Sequence, residues 1–251
     1  MRVLLSNDDG IDSAGLAGLH AELSKVGEVF VVAPDREQSA ASHAITLSRP
    51  LRIRERRPRW FEVDGTPTDC VYVGINHLLK STPPDVVCAG INHGPNLGND
   101  VIYSGTVAAA MEGALLGISS IAFSYCGSDN AFQGPAQFAA RLASQVAARA
   151  LPHKTLLNVN FPESPTDLFE VTCLGKRTYG QAVVEKVDPR GRRYYWIGGD
   201  EPRHEDIPGS DCNAVFDRGA ISVTPLHLDL TDHRLLDALS TWEVPGYVRR
   251  R

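Results

Sequence analysis

The sequence is poor in the features that mark several protein classes. Its five cysteines, Cys70, Cys88, Cys126, Cys173 and Cys212, are odd in number, widely spaced and without a CxxC pair. Neither a disulfide framework nor a cysteine-based zinc site is indicated. No apolar run approaches membrane-spanning length, and Met1-Arg2 leads into a strand without a signal-peptide pattern. A reducing cytoplasm is the expected setting, with no membrane partner. Positive charge is also in short supply: 25 Lys and Arg stand against 30 Asp and Glu, for a net charge of -5. A nucleic-acid polymer is therefore not an expected partner, and Arg249-Arg250-Arg251 reads as a solvated tail. Aromatics are only 7%. No GxGxxG follows the first strand, which counts against a dinucleotide-binding oxidoreductase. Ser39 lacks a GxSxG context, so a nucleophile elbow is unsupported.

What is present suits a buried parallel sheet. Of 251 residues 43% are hydrophobic and 22% charged, enough for one large α/β domain or a domain with an appendage. Val, Ile, Leu and Ala carry the apolar load. Cys88 and Cys126 lie in apolar runs and read as small core residues. Val3-Leu4-Leu5 predicts a strand, followed by a helix near 15–26 with Leu16, Leu19, Leu23 and Val26 on one face. Glu28 to Ala33 predicts a second strand, stopped by Pro34, and strands follow near 51–54 and 60–63. Thr66-Pro67-Thr68-Asp69 predicts a helix start, with Thr as cap, Pro first and an acid third, running to about Leu79. A strand at Asp85 to Ile91, a loop through 103, a helix from Gly105 to Leu116 and a strand near 118–124 come next. Pro135 opens a helix to about Ala150, and Leu156 to Asn160 is a strand.

That alternation predicts a Rossmann-like, doubly wound, mostly parallel α/β sheet. After residue 160 the pattern changes. Residues 169–200 read as β-structure with a turn at Asp188-Pro189-Arg190-Gly191, 201–219 as polar and irregular, 220–224 as a strand and 232–242 as a short helix. The expected division is a catalytic core over 1–165 and a C-terminal extension over 166–251. The extension would carry a β-hairpin arm used in oligomerisation and return to the core near 220–242.

Four places could carry chemistry. Asn7-Asp8-Asp9-Gly10 follows the first strand, where doubly wound sheets bind ligands. Adjacent carboxylates repel, so a cation, hydrogen bonds or a shared proton must offset them; a hard divalent ion such as Mg²⁺, Mn²⁺ or Ca²⁺ suits oxygen donors. An Asx-turn is the plainer alternative. Residues 89–100 form a long Gly- and Asn-rich loop in which Asn92 could join Asp8 and Asp9 at a metal. Tyr103-Ser104-Gly105-Thr106 opens a helix; its free amides, dipole and hydroxyls make an anion site, or Ser104 merely caps. Ser39 could reach the same sheet edge or be a solvated loop serine. His43 and His93 are possible acid-base groups or ordinary histidines. Arg49, Arg52, Arg54, Arg56, Arg57 and Arg59 suggest a strand with one charged face, either solubilising or attractive to anions.

Together these segments resemble the SurE family, the survival-protein nucleotidases. The resemblance rests on Leu5-Ser6-Asn7-Asp8-Asp9-Gly10, Val32 to Ser39, Gly65-Thr66-Pro67-Thr68-Asp69-Cys70, the loop at 89–99, Tyr103-Ser104-Gly105-Thr106, Thr224-Pro225-Leu226 and the stretch Asp229 to Asp232. It spans nearly the whole chain. It implies a Rossmann-like domain and metal-dependent hydrolysis of nucleoside 5′- and 3′-monophosphates, with some action on short polyphosphate. It implies one Mg²⁺ or Mn²⁺ per subunit on Asp8, Asp9, Ser39 and Asn92, with Asp8 and Asp9 catalytic. Phosphate would fall on Asn96, Ser104, Gly105 and Thr106, in homodimers or homotetramers. Asp9 is the carboxylate expected to orient or deprotonate the attacking water. Two alternatives stand beside this: an aspartyl-phosphate phosphatase, disfavoured because Asp8 and Asp9 are adjacent rather than arranged as DxD, and a non-catalytic nucleotide-binding or sensing module.

Overall fold

Alternation at the first strand sets the layers. Val3 and Leu5 point into one apolar cluster and Leu4 into another, as period-2 geometry requires of a strand buried on both faces. The structure, a computed structural model, describes residues 1–180, 183–198 and 202–248. The tail arginines 249–251 lie outside those residues.

The chain runs β1 (Arg2–Ser6), α1 (Ala14–Leu23), β2 (Glu28–Pro34), β3 (Ile53–Arg57), β4 (Trp60–Val63), α2 (Pro67–Val73) and β5 (Val86–His93). It continues through α3 (Gly105–Leu115), β6 (Ser120–Tyr125), α4 (Gln133–Arg149) and β7 (Thr155–Phe161). The nine-stranded sheet has the order β3-β4-β2-β1-β5-β6-β7, extended by two later strands. Strands β4, β2, β1, β5, β6 and β7 are parallel, and β3 pairs antiparallel with β4. Leu16, Leu19 and Leu23 of α1 share a core with Ala136, Ala139 and Ala143 of α4. Cys70 and Val71 of α2 share the other with Val107, Ala109 and Ala110 of α3. The chain thus winds outward from β1 in one direction and from β5 in the other. The crevice beyond the carboxyl ends of β1 and β5 is the switch point where such sheets take ligands.

The expected caps form. Thr66 Oγ1 accepts from the Asp69 amide at 3.1 Å and Asp69 Oδ2 accepts from the Thr66 amide at 2.9 Å, a complete capping box. Two helix ends differ from expectation. Helix α1 stops at Leu23, and Val26 is 44% exposed in the turn that brings the Glu28 amide to the Met1 carbonyl. Regular α2 ends at Val73, and the chain continues to Leu78 as a wider π turn.

The later elements are β8 (Phe169–Val171), β9 (Arg177–Thr178), β10 (Val183–Val187), β11 (Arg193–Ile197), β12 (Arg203–His204), β13 (Ile221–His227) and α5 (Leu235–Ser240). Strand β13 adds antiparallel to β7, and β8 adds parallel to β13. Strands β10 and β11 form a separate hairpin closed at Asp188–Arg192, and β9 pairs with β12. The segment at 201–219 is not simply polar and irregular. Ser210 to Val215 are buried, and Cys212 and Val215 pack with Leu97. A buried carboxylate that answers backbone amides, Asp211, explains why so polar a stretch goes inside. All five cysteines are free thiols, and burial pushes that of Cys126 up to about 12. Among the described residues, no helix is long and apolar enough to cross a membrane.

Candidate active site

Strand β1 delivers Asp8 and Asp9 to the switch point. The turn is held by Asn7, whose Nδ2 donates to the Gly10 carbonyl at 2.9 Å and to Ser13 Oγ at 2.7 Å. Ser13 in turn caps α1 by accepting from the Leu16 amide. The Asx-turn reading is thus partly right, but Asn7 makes the turn and leaves the two carboxylates free for other work.

Asp8 is 5% exposed and seated against the start of α3, where the Thr106 hydroxyl donates to its Oδ1. The approach depends on Gly105: a Cβ there would lie 2.8 Å from both the Cβ and Oδ2 of Asp8. Burial pushes the Asp8 carboxyl up, opposed by the Thr106 hydroxyl and backbone N–H. Asp9 is pushed up to about 6, first by burial and then by the charge of Asp8. Its Oδ2 accepts from the His93 amide at 3.3 Å. Among the described residues no Lys or Arg forms an ion pair with either carboxylate. The pair is therefore a pocket of negative charge without a protein cation to offset it.

Asn92, at the end of β5, donates its Nδ2 to the Gly94 carbonyl at 2.8 Å. That bond uses the amide nitrogen and leaves the amide oxygen, a metal-type donor, available. Ser39 is differently placed. The Gln38 amide donates to the Asp8 carbonyl at 2.8 Å, so its loop reaches the site. The Ser39 hydroxyl itself donates to Glu37 Oε1 at 2.5 Å, which leaves its oxygen lone pairs for a cation. Among the described residues no group of three or more His, Cys, Asp or Glu gathers as a metal site. A cation here would rest on two carboxylates and neutral oxygens, a donor set suited to a hard divalent ion. Two carboxylates without an ion-pair partner and the Asn92 amide oxygen fit such an ion.

Ser104 caps α3, accepting from the Val107 amide at 3.0 Å. The capping and anion-site readings coexist, because the N–H of Gly105 at the first helical position has no intrahelical acceptor. The Thr106 hydroxyl is committed to Asp8, which leaves its role as orienting that carboxylate. Asn96 is 8% exposed and tightly anchored. Its amide donates to Asn160 Oδ1 at 2.8 Å, and its carbonyl accepts from Asn158 Nδ2 at 2.8 Å and Asn160 Nδ2 at 3.0 Å. Its Nδ2 donates to Ser124 Oγ at 2.8 Å. The side-chain amide nitrogen carries two N–H groups, so the bond to Ser124 leaves the second free for a phosphate oxygen.

Asn158, Asn160, Ser124 and Asp211 are the site-forming residues that motif reading passed over. A signal existed: two asparagines at i and i+2 ending a buried strand must find partners. His43 Nε2 lies 2.8 Å from Glu112 Oε2, a partner outside the Asp8–Asp9 pair. The His93 ring packs edge-on to Phe132, while its amide serves Asp9. Most of the arginine run is internally matched: Arg54 and Arg56 each lie 2.6 Å from Glu62, Arg49 and Arg52 pair with Asp64, Arg59 with Glu28, and Arg57 stacks over Trp60. Each of these carboxylates is shared between two arginines, so the run is tied down by its neighbours but keeps a net positive charge.

A family model described as "Survival protein SurE" matches residues 3–181, a span that contains the whole carboxylate and α3 site. The chain belongs to the SurE family. It is 60% identical over 249 residues to the 5′-nucleotidase SurE of Anaeromyxobacter sp. (strain Fw109-5), covering 98% of each chain. It is 59% identical to the 5′-nucleotidase SurE of Myxococcus xanthus (strain DK1622), covering 99% of this chain and 95% of that one. The crystal structure of the SurE protein from Aquifex aeolicus superposes with a TM-score of 0.84 at 41% identity, over 96% of this chain and 98% of that chain. The Rossmann-like reading of the fold is thus matched by a SurE structure over nearly the full length. Asp211, which braces the loop after β5, lies beyond the span of the SurE family match.

Proposed function

We propose that this chain is a cytoplasmic, divalent-metal-dependent phosphomonoesterase that hydrolyses nucleoside 5′-monophosphates, and 3′-monophosphates, to nucleoside and phosphate. The observation that carries the reading is the contact between Asp8 and the start of α3, which puts a buried carboxylate, its half-buried neighbour Asp9 and a helix N-terminus in one crevice. The names of the similar proteins from Anaeromyxobacter and Myxococcus support the nucleotide as substrate. Short polyphosphate is a further substrate on this reading.

The charge arrangement explains why a cation is needed. A phosphate dianion approaching two carboxylates is repelled unless positive charge lies between them. Asp8 and Asp9, with Asn92 and Ser39, would hold one Mg²⁺ or Mn²⁺ per subunit. When bound, that ion supplies Lewis-acid polarisation of the phosphoryl group. The protein's own groups do the rest. The N–H of Gly105, the field of α3 and Asn96 stabilise the equatorial oxygens as charge builds on them. Thr106 fixes the orientation of Asp8. Asp9 accepts the proton of the attacking water as the water oxygen bonds to phosphorus, and the sugar oxygen takes up a proton from solvent as its own bond to phosphorus breaks. Residues 1–165 act as the catalytic core and 166–251 as an extension. The exposed Tyr195, Trp196 and Ile197 of β11 and Leu235, Leu236 and Leu239 of α5 support a homodimer or homotetramer built through that extension.

The test is phosphate release from a panel of nucleoside monophosphates, in EDTA and then with Mn²⁺ or Mg²⁺ restored. Metal-requiring release is the expected outcome. Binding of nucleotide without release under any metal would instead make the protein a sensing module.

A further inference from the structure

We propose that the root of the C-terminal arm is a positioning device for the phosphate-binding loop, with the Arg177–Asp100 ion pair as its working contact and Asp211 bracing the backbone beside it. The inference rests on the hydrolase reading above and assigns work to residues that touch neither the carboxylate pair nor the start of α3. Between Asn96 and Ser104 the chain makes a single 3-10 turn, Gly98–Ile102. A loop with so little structure of its own has many conformations open to it, yet the donors at its two ends must be held to about half an ångström to act on a phosphoryl group.

The bonds that hold this turn come from far along the chain. Asp211, fully buried, accepts from the Gly98 amide at 2.9 Å through one oxygen and from the Gly175 amide at 2.7 Å through the other. The two backbones touch: Gly98 has φ +56°, and a Cβ there would meet the Gly175 carbonyl oxygen at 2.8 Å. Arg177 Nη1 donates to Asp100 Oδ2 at 2.6 Å, with only 9% and 14% of the two side chains exposed. The Tyr179 hydroxyl donates to the same oxygen. The Arg177 amide donates to Asn99 Oδ1 at 2.9 Å. Thus the consecutive residues Gly98, Asn99 and Asp100 are each fastened to the segment 175–179 or to Asp211.

That segment is the root of the arm. Arg177 and Thr178 form β9, which pairs with β12, and the β10–β11 hairpin is carried between these two short strands. Removing one partner of a shielded, hydrogen-bonded ion pair leaves the other charge uncompensated, so the turn should shift rather than merely loosen. The metal ligands Asp8 and Asp9 belong to the β1 turn and lie outside this staple. The two functions of the site, cation binding and phosphate positioning, should therefore separate on mutation.

The experiment compares Arg177→Met and Asp100→Asn with wild type in the full-length chain. It reads kcat and KM for a nucleoside monophosphate, and Mn²⁺ affinity by calorimetry. Both variants should lose about a hundredfold in kcat/KM, the cost of an ångström-scale misplacement, while Mn²⁺ affinity stays at the wild-type value. Arg177→Lys should recover part of the loss, and the double variant should be no worse than Arg177→Met alone. Wild-type kcat/KM in both variants would overturn the proposal, as would a parallel loss of Mn²⁺ affinity, which would mark a general structural role. If Arg177→Met does not fold, the isosteric Asp100→Asn carries the test. A wild-type protein that releases no phosphate would instead count against the hydrolase reading. In that case inorganic phosphate affinity, weakened in Asp100→Asn and unchanged for Mn²⁺, still decides whether the staple positions the loop.

Discussion

At the scale of single residues, the site turns on one conflict: two carboxylates share a shielded corner, with only hydrogen bonds to temper them. Thr106 and the α3 amides relieve Asp8, whereas Asp9 has one 3.3 Å contact from an amide. Asp8→Asn and Asp9→Asn remove charge with little change of shape, and Asn at position 8 still offers an oxygen to Thr106. Both variants are expected to fold as wild type by circular dichroism and to lose roughly 10²- to 10⁴-fold in kcat. Full activity in both would refute the carboxylate-pair site. The adjacency of the two acids is legible in the sequence, and so is the conflict it creates. The remedy is not, because it comes from Thr106, 98 residues away. For the same reason motif reading could not tell that the Ser39 hydroxyl rests on Glu37, or that Asn96 gives its amide to Ser124.

At the scale of elements, local chemistry explains where the helices start better than where they stop. Ser13, Thr66 and Ser104 all cap as their types suggest. The box at Thr66 is complete, and its Oγ1 also donates to the Ala44 carbonyl at 2.7 Å. Thr66→Ala should cost about 1 kcal/mol, read as a lower midpoint in urea with an unchanged slope. An unchanged midpoint would mean that the tertiary contacts of α2 hold it without the cap. Helix ends follow tertiary demands instead. Helix α1 gives way early so that β2 can meet the carbonyl of Met1, and α2 widens into a π turn. Residues 210–215 are the strongest case. They read as polar loop, but the burial of Asp211 is set by amides of two other loops.

At the scale of the whole molecule, cation binding and folding should be linked. A ligand that binds only the folded state stabilises it by about 2.7 kcal/mol at a hundred times its Kd. For a chain of this size that is a rise in Tm of several degrees, at roughly 2–4 °C per kcal/mol. Mn²⁺ should therefore raise Tm, EDTA should reverse the rise, and Asp8→Asn should abolish it. A rise of equal size in Asp8→Asn would place the stabilising ion elsewhere.

The sequence by itself determined the parallel α/β class, the capped helix starts, the acidic turn after β1 and the helix start at Ser104. These follow from side-chain periodicity and from hydrogen bonds that reach only a few residues. Tertiary structure alone decided that β13 lies between β7 and β8 in the sheet, that each arginine of the 49–59 run meets a carboxylate or an aromatic ring, and that Asp8 sits on α3. It also decided that the root of the arm grips the loop after β5. Each of these is a contact between segments distant in sequence. Such contacts depend on which backbone groups and charges are left unsatisfied once the sheet has closed, and no local pattern records that.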